Sequence, residues 1–190
     1  MEIPLFPLRT VLYPGGPLPL RIFEQRYLDM ISRCLKTDTP FGALLIKEGS
    51  ETGPARTFDV GTLAYITDWY QGSDGLLGVT ATGTDRFRLK SERRENDGLL
   101  VGEVEVLTAP PECALPEEYK PLAQILQGVI DDLGRLYEDI EKNYDDAGWV
   151  SYRFAEILPI DSDQKQSCLE IDDPIQRIES MRAVLDTVRL

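Results

Sequence analysis

The chain has 190 residues, 42% of them hydrophobic and 28% charged, with no histidine and a formal net charge of −13. A chain of this size and balance can bury a core without a disulfide or metal, and the missing histidine excludes Ser-His-Asp and Cys-His catalysis and every His-ligated metal site. The charge is uneven: residues 1–109 carry 12 Lys/Arg against 15 Asp/Glu, a balance of −3, and residues 110–190 carry 8 against 18, a balance of −10. Such a surface repels phosphate backbones and anionic membranes.

Other chemistries lack their signatures. Cys34, Cys113 and Cys168 stand in no metal-ligand or CxxC spacing, so they read as idle thiols of a reducing compartment. No Walker A loop, GxGxxG or GxSxG occurs, and neighbouring acids such as Asp131-Asp132 or Asp172-Asp173 read as solvated faces or caps. No apolar run is long enough to cross a membrane. Prolines and Glu2 break the pattern of a signal peptide. The expectation is a cytoplasmic protein with no cofactor, no metal and no catalytic residues.

The opening stretch PLFPLRTVLYPGGPLPLRIFEQRY, residues 4–27, is proline-rich and apolar. Prolines suit strand edges and turns rather than helix interiors. Residues 3–6 read as a strand. Pro14 to Pro17 read as a turn, and Leu18, Leu20 and Ile22 alternate as in a half-buried strand. A helix opens at Glu24 and Gln25, with Tyr27, Ile31, Cys34 and Leu35 on its apolar face. Strands follow at 41–47, 58–70, 76–83, 86–90 and 99–107, with a hairpin turn at QGSDG (71–75). About six or more short strands with frequent turns predict a small β-barrel or closed sheet.

Composition shifts at the Pro-rich joint 109–119. From Leu115 to Tyr144 apolar residues recur with gaps of three and four, predicting a long helix whose wide stripe suits a bundle. Further helices are expected at 149–160, 161–171 and from Pro174 onward, the last capped by Asp173, with Gln176 completing a capping box and Ile178, Met181, Leu185 and Val188 buried. The fold class expected is therefore α+β, a strand-rich unit at 1–109 and an α-helical bundle at 110–190.

These segments together resemble a known family. Pro4, Leu5, Phe6, Pro7 and Leu8, then Tyr13, Pro14 and Gly15, then Pro19, Leu20, Ile22, Phe23, Glu24, Arg26 and Tyr27 match the start of the substrate-binding N-terminal domain of the ATP-dependent Lon protease. FGALLIKEG (41–49), VGTLAYI (60–66), DGLLGVTATGTDRFRL (74–89) and FAEILPIDSDQKQSCLEIDD (154–173) are similar to its later elements, in order. The ATPase and Ser-Lys protease domains that follow in Lon are missing here, so the chain resembles stand-alone bacterial members. The resemblance implies a PUA-like β-barrel followed by helices, no enzymatic activity, and binding of unfolded or damaged polypeptides or a protein partner. RNA binding through the PUA-like barrel is the alternative, with RFRLKSERR (86–94) its basic cluster. The acidic balance makes a nucleic-acid partner the weaker expectation, and no membrane partner is expected.

The binding candidates are Arg9, Tyr13, Pro14, Glu24, Trp69, Tyr70 and Arg86. Trp69 and Tyr70 flank the hairpin turn, where neighbouring strand residues face opposite ways and cannot both be buried. Aromatics carry much of the energy of interfaces. Tyr13 and Pro14 offer a second edge to the same groove. Glu24 and Arg86 read as a structural ion pair or cap, or alternatively as a grip on a peptide backbone. Oligomeric state is not legible.

Overall fold

A computed structural model describes residues 1–188, with the backbone alone at Val188. Contacts divide the chain into two compact units, Met1–Thr108 and a second beginning at Ala109. The first holds seven strands and one helix: β1 (Glu2–Leu8), β2 (Pro17–Ile22), α1 (Gln25–Thr37), β3 (Phe41–Gly49), β4 (Ala55–Thr57), β5 (Val60–Gln71), β6 (Leu77–Arg94) and β7 (Leu100–Val106). The sheet runs β1-β7-β6-β5-β3-β4, with β2 paired to β6 and a further pairing between β1 and β3.

The expected barrel is a sheet rolled on itself rather than a fully closed one. The seam lies at β1, which divides its length between two neighbours. Residues 2–5 pair antiparallel with β7, and residues 5–8 pair parallel with β3. The prolines follow from this division. The Met1 ammonium donates to the Val104 carbonyl, and the Val104 N–H donates back to Met1. Odd-numbered residues of β1 therefore face β7, and even-numbered ones face the β3 side. Pro4 turns toward β3 before that ladder begins, and Pro7 turns toward β7 after that ladder has ended. Neither position needs the N–H that proline lacks.

Alternation along β1 also divides the core. Ile3 and Leu5 pack with Leu44, Leu63, Phe87, Leu100 and Val104. Phe6 and Leu8 join a second cluster with Tyr27, Met30, Ile31 and Cys34 of α1. The buried face of α1 is thus Tyr27, Met30, Ile31 and Cys34, at 3.6-residue spacing. Leu35, expected on that face, is exposed, because Met30 fills the turn between Tyr27 and Cys34. The two strands expected at 76–83 and 86–90 are one continuous β6. Register shifts against β5 occur between Thr62 and Ala64 and between Ile66 and Asp68, so bulges absorb the irregularity without breaking β6.

The second unit contains α2 (Lys120–Leu133), α3 (Ala147–Ile157), α4 (Ser162–Glu170), α5 (Pro174–Ser180) and α6 (Arg182–Val188), with 3₁₀ turns at Glu117–Tyr119 and Gly134–Tyr137. The long helix expected to Tyr144 stops at Leu133. Gly134 takes φ 55°, a left-handed value that ends an α-helix and that glycine adopts at little cost. Leu122, Leu126 and Ile130 are buried before the break, while Leu133 and Leu136 are exposed. Asp146 caps α3 through a bond from the Trp149 N–H, and Asp161 with Gln164 forms a capping box on α4. Asp173 accepts from the N–H groups of Ile175 and Gln176 at the start of α5. The last helix expected from Pro174 divides at Met181. Ile178, Met181 and Leu185 are buried, and the side chain of Val188 lies outside the described residues.

Two arginines lie inside this second unit, Arg153 at 0% and Arg177 at 1% exposure. Arg177 lies 3.7 Å over the Tyr152 ring and donates to the Ser151 hydroxyl at 2.7 Å and to the carbonyls of Cys168 and Ile171. Arg153 pairs with Glu156 at 3.0 Å, and Glu156 also accepts from the Tyr137 hydroxyl at 2.9 Å. Buried guanidinium groups of this kind require such partners.

Candidate functional site

A groove of about 250 Å³ opens along β2 in the first unit. Its floor is apolar, formed by Phe6, Leu8, Leu18, Ile22 and Tyr27. One wall is β2 itself at Pro19, Leu20 and Arg21; Thr10, Glu51 and Thr52 stand among the other lining residues. Phe23 and Glu24, between β2 and α1, complete the lining. Phe23 is 62% exposed, although an apolar ring of that size is usually covered in a folded domain.

A stacked column supports the floor. The rings of Phe6 and Tyr27 lie 4.0 Å apart and 16° from parallel, and the Arg26 guanidinium sits 4.7 Å from the Tyr27 centroid. The same guanidinium pairs with Glu24 at 2.9 Å and donates to the carbonyls of Gly98 at 3.0 Å and Glu51 at 3.2 Å. Arg26 therefore ties the start of α1 to the turn before β7 and to the loop after β3. Burial, the largest influence, pushes the Tyr27 phenol up despite the neighbouring Arg26 charge.

Cross-strand register sets Trp69 and Tyr70 on opposite faces of the sheet. Trp69 pairs with Val79, and Val79 pairs with Leu20 of the groove wall. Residues directly opposite share a face, so Trp69, Val79 and Leu20 form one row. Tyr70, Gly78 and Arg21 form the next row, on the other face. Trp69 is 58% exposed and Tyr70 54%. The Trp69 row runs from Leu20 of the groove wall across β6 to β5, and at the hairpin tip Arg21 and Asp74 form an ion pair.

The other candidates divide between brace and core. Arg9 donates its backbone N–H to Glu51 at 2.8 Å and its guanidinium to the Gly49 carbonyl at 3.0 Å, which braces the loop after β3. Tyr13 is 0% exposed, so it offers no surface; its carbonyl accepts from Gly16 in the turn that leads into β2. Pro14 stands in that turn, half-buried. Glu24 lines the groove but pairs with Arg26, not with Arg86. Arg86 lies on the face opposite Phe87 but is still only 4% exposed, so it offers a ligand almost no surface.

The basic cluster 86–94 is not a continuous positive face. Arg86 is buried, Lys90 pairs with Glu105, and Arg93 pairs with Glu2 at 2.9 Å and Glu95 at 3.4 Å. Acids of β7 and β1 neutralise the stripe that alternation in β6 would otherwise present. Among the described residues, no group of three or more Cys, Asp or Glu is placed to hold a metal ion, and no helix is long and apolar enough to cross a membrane.

Sequence reasoning missed Phe23, Leu20 and Arg26 as parts of the site. The signal was present in the alternation of Leu18, Leu20 and Ile22. It ends in Phe23, an apolar residue placed one step out of phase and so directed away from the floor.

A rolled, mostly antiparallel sheet with one helix, followed by a helical unit, is the fold of Lon N-terminal domains. The crystal structure of a Lon N-terminal domain protein from Xanthomonas campestris superposes with a TM-score of 0.79 at 37% identity, covering 96% of this chain and 98% of that one. The N-terminal domain of a Mycobacterium avium complex Lon protease shares the fold, with a TM-score of 0.66 at 18% identity over 98% and 99% of the two chains. Residues 2–187 match the family model of the ATP-dependent protease La (LON) substrate-binding domain. The chain belongs to that family. It is 25% identical over 197 residues to the Lon protease of Buchnera aphidicola from Schizaphis graminum and 27% identical over 195 residues to that of Escherichia coli K12. In each case the match takes 98% of this chain and 25% of the relative, so the chain spans about a quarter of the length of the proteases it resembles.

Proposed function

We propose that this chain is a non-catalytic polypeptide-binding or adaptor module that holds exposed apolar segments of unfolded or damaged protein in the groove along β2. The observation that carries this reading is the groove itself: an apolar floor open to solvent, with Phe23 left uncovered in its lining and Trp69 exposed on the same sheet row as Leu20. Exposed large aromatics beside a preformed apolar depression are the usual anchors of protein interfaces. Membership of a substrate-binding family supports the same reading. In it, the strand-rich unit of about residues 1–109 performs recognition, and the protein works in the bacterial cytoplasm.

Fluorescence anisotropy of a labelled, permanently unfolded polypeptide, titrated with the protein beside a labelled RNA of similar length, tests the proposal. Saturable binding to the polypeptide alone is expected. Binding to the RNA alone, weakening steeply with salt, would sink it.

A further inference from the structure

The wall of the groove is an edge strand whose hydrogen-bonding pattern is unusual. Gly83 donates its N–H to the Gly16 carbonyl. Continuing the register Pro17↔Thr82 through Ile22↔Leu77, even-numbered residues of β2 direct their backbone groups to β6. Pro17, Pro19 and Arg21 direct theirs outward. Pro17 and Pro19 have no N–H, so of the three outward residues only Arg21 offers a donor, and the edge lacks the alternating donors that an added strand requires. β-Augmentation, the usual way for a sheet edge to take a peptide, is blocked along the strand that lines the groove.

What the edge and its surroundings offer is acceptors. Glu24 and Glu51 line the groove. Each uses one carboxylate oxygen inside the fold, Glu24 toward Arg26 and Glu51 toward the Arg9 N–H, and each has a second. The Arg21 guanidinium, the one cationic group lining the groove, is paired with Asp74. Residues 1–109, which hold the groove, carry a balance of −3. An occupant complementary to this site brings donors and positive charge on its side chains, next to an apolar anchor.

Resting on the polypeptide-binding reading, we propose that the groove selects apolar segments flanked by Lys or Arg. The apolar side chain fills the space above Phe6 and Tyr27. The flanking cation is held by the carboxylates of Glu24 and Glu51 and by the outward carbonyls of β2. The backbone of the bound segment forms no ladder with the edge.

Three labelled peptides of about 15 residues test this by fluorescence anisotropy with the unaltered protein. They share one Leu- and Phe-containing centre and carry Lys, Glu or Ser on both flanks. At about 0.1 M salt the Lys-flanked peptide is expected to bind roughly tenfold more tightly than the Glu-flanked one, with Ser between. The advantage is expected to shrink as salt rises. The Glu24→Gln, Glu51→Gln double variant, checked for native circular dichroism, is expected to lose the preference for Lys. Equal binding of all three peptides overturns the charge selection and leaves polypeptide binding standing. Tighter binding of the Glu-flanked peptide overturns it too. Binding of none overturns both readings.

Discussion

The Tyr70 ring lies across Gly78 on the facing strand of the β5–β6 hairpin, so close that a Cβ on Gly78 would come within 2.3 Å of a ring carbon. The ring covers a strip of backbone that has no side chain of its own, and the glycine allows the ring to lie flat. This fixes Tyr70 on the face opposite Trp69. The two adjacent aromatics therefore part company: Tyr70 covers Gly78, while Trp69 stands in the row of Val79 and Leu20.

Glycine substitutions in the sheet separate according to what the new methyl meets. At Gly78 it meets the far end of a side chain that can rotate away. Gly78→Ala is expected to cost about 1 kcal/mol or less. At Gly61 the methyl meets the Ala43 carbonyl oxygen at 2.3 Å and Leu44 at 2.7 Å. Backbone cannot yield so easily, and Gly61→Ala is expected to cost about 3 kcal/mol or more. Urea unfolding of the two variants checks the order.

Binding should distinguish the two aromatics. Trp69→Ala and Phe23→Ala are each expected to weaken binding of an unfolded polypeptide about tenfold, the scale of an interface anchor. Tyr70→Ala is expected to change affinity little and stability slightly. All three side chains are more than half exposed, so the folds should survive. Anisotropy titrations with circular dichroism of each variant decide the matter; equal losses for Trp69 and Tyr70 would contradict the face assignment.

The Arg153–Glu156 pair is expected to matter through what is left when it breaks. Arg153 is wholly buried. Burial, the largest influence, pushes the Glu156 carboxyl up, while Arg153 and the Tyr137 hydroxyl pull it down. Glu156→Gln is expected to cost about 3 kcal/mol, because it removes a negative charge paired with a buried guanidinium. Thermal unfolding measures it.

Alkaline pH should loosen the protein through its buried phenols. Burial holds the Tyr137 hydroxyl well above the ordinary tyrosine range, and Glu156 adds to the effect. Tyr27 is raised as well, chiefly by burial. A group whose pKa is higher in the folded state contributes its full stability below the unfolded value. That contribution is lost as pH rises past about 10, where the unfolded phenols ionise first. A spectrophotometric tyrosine titration is expected to show late phenols whose ionisation coincides with loss of circular dichroism.

Much of the fold was legible from local chemistry. The alternation in Leu18, Leu20 and Ile22, the turn at Pro14–Pro17 and the capping Asp173 with Pro174 act over a few residues. Periodicity and turn residues report such features directly. Legibility failed where distant parts of the chain decide. The long helix expected through Tyr144 ends at Gly134, and Leu133 and Leu136 are exposed, although their spacing alone continues the stripe. Arg153 and Arg177 read as surface charges until the buried partners around them are known.

The candidate site divides the same way. Sequence alone determined that Trp69 and Tyr70 are hard to bury together, that prolines at 17 and 19 suit an edge strand, and that no histidine-based chemistry is available. Each follows from the geometry of a strand or from the identity of a side chain. Only the tertiary structure decided that Tyr13 and Arg86 are interior, that Glu24 turns to Arg26, that Phe23 and Leu20 line one groove, and that Trp69 shares a sheet row with Leu20. Those facts depend on which strands become neighbours and in what register. Register is a property of long-range pairing, and a shift of one residue would exchange every inward side chain for its outward neighbour.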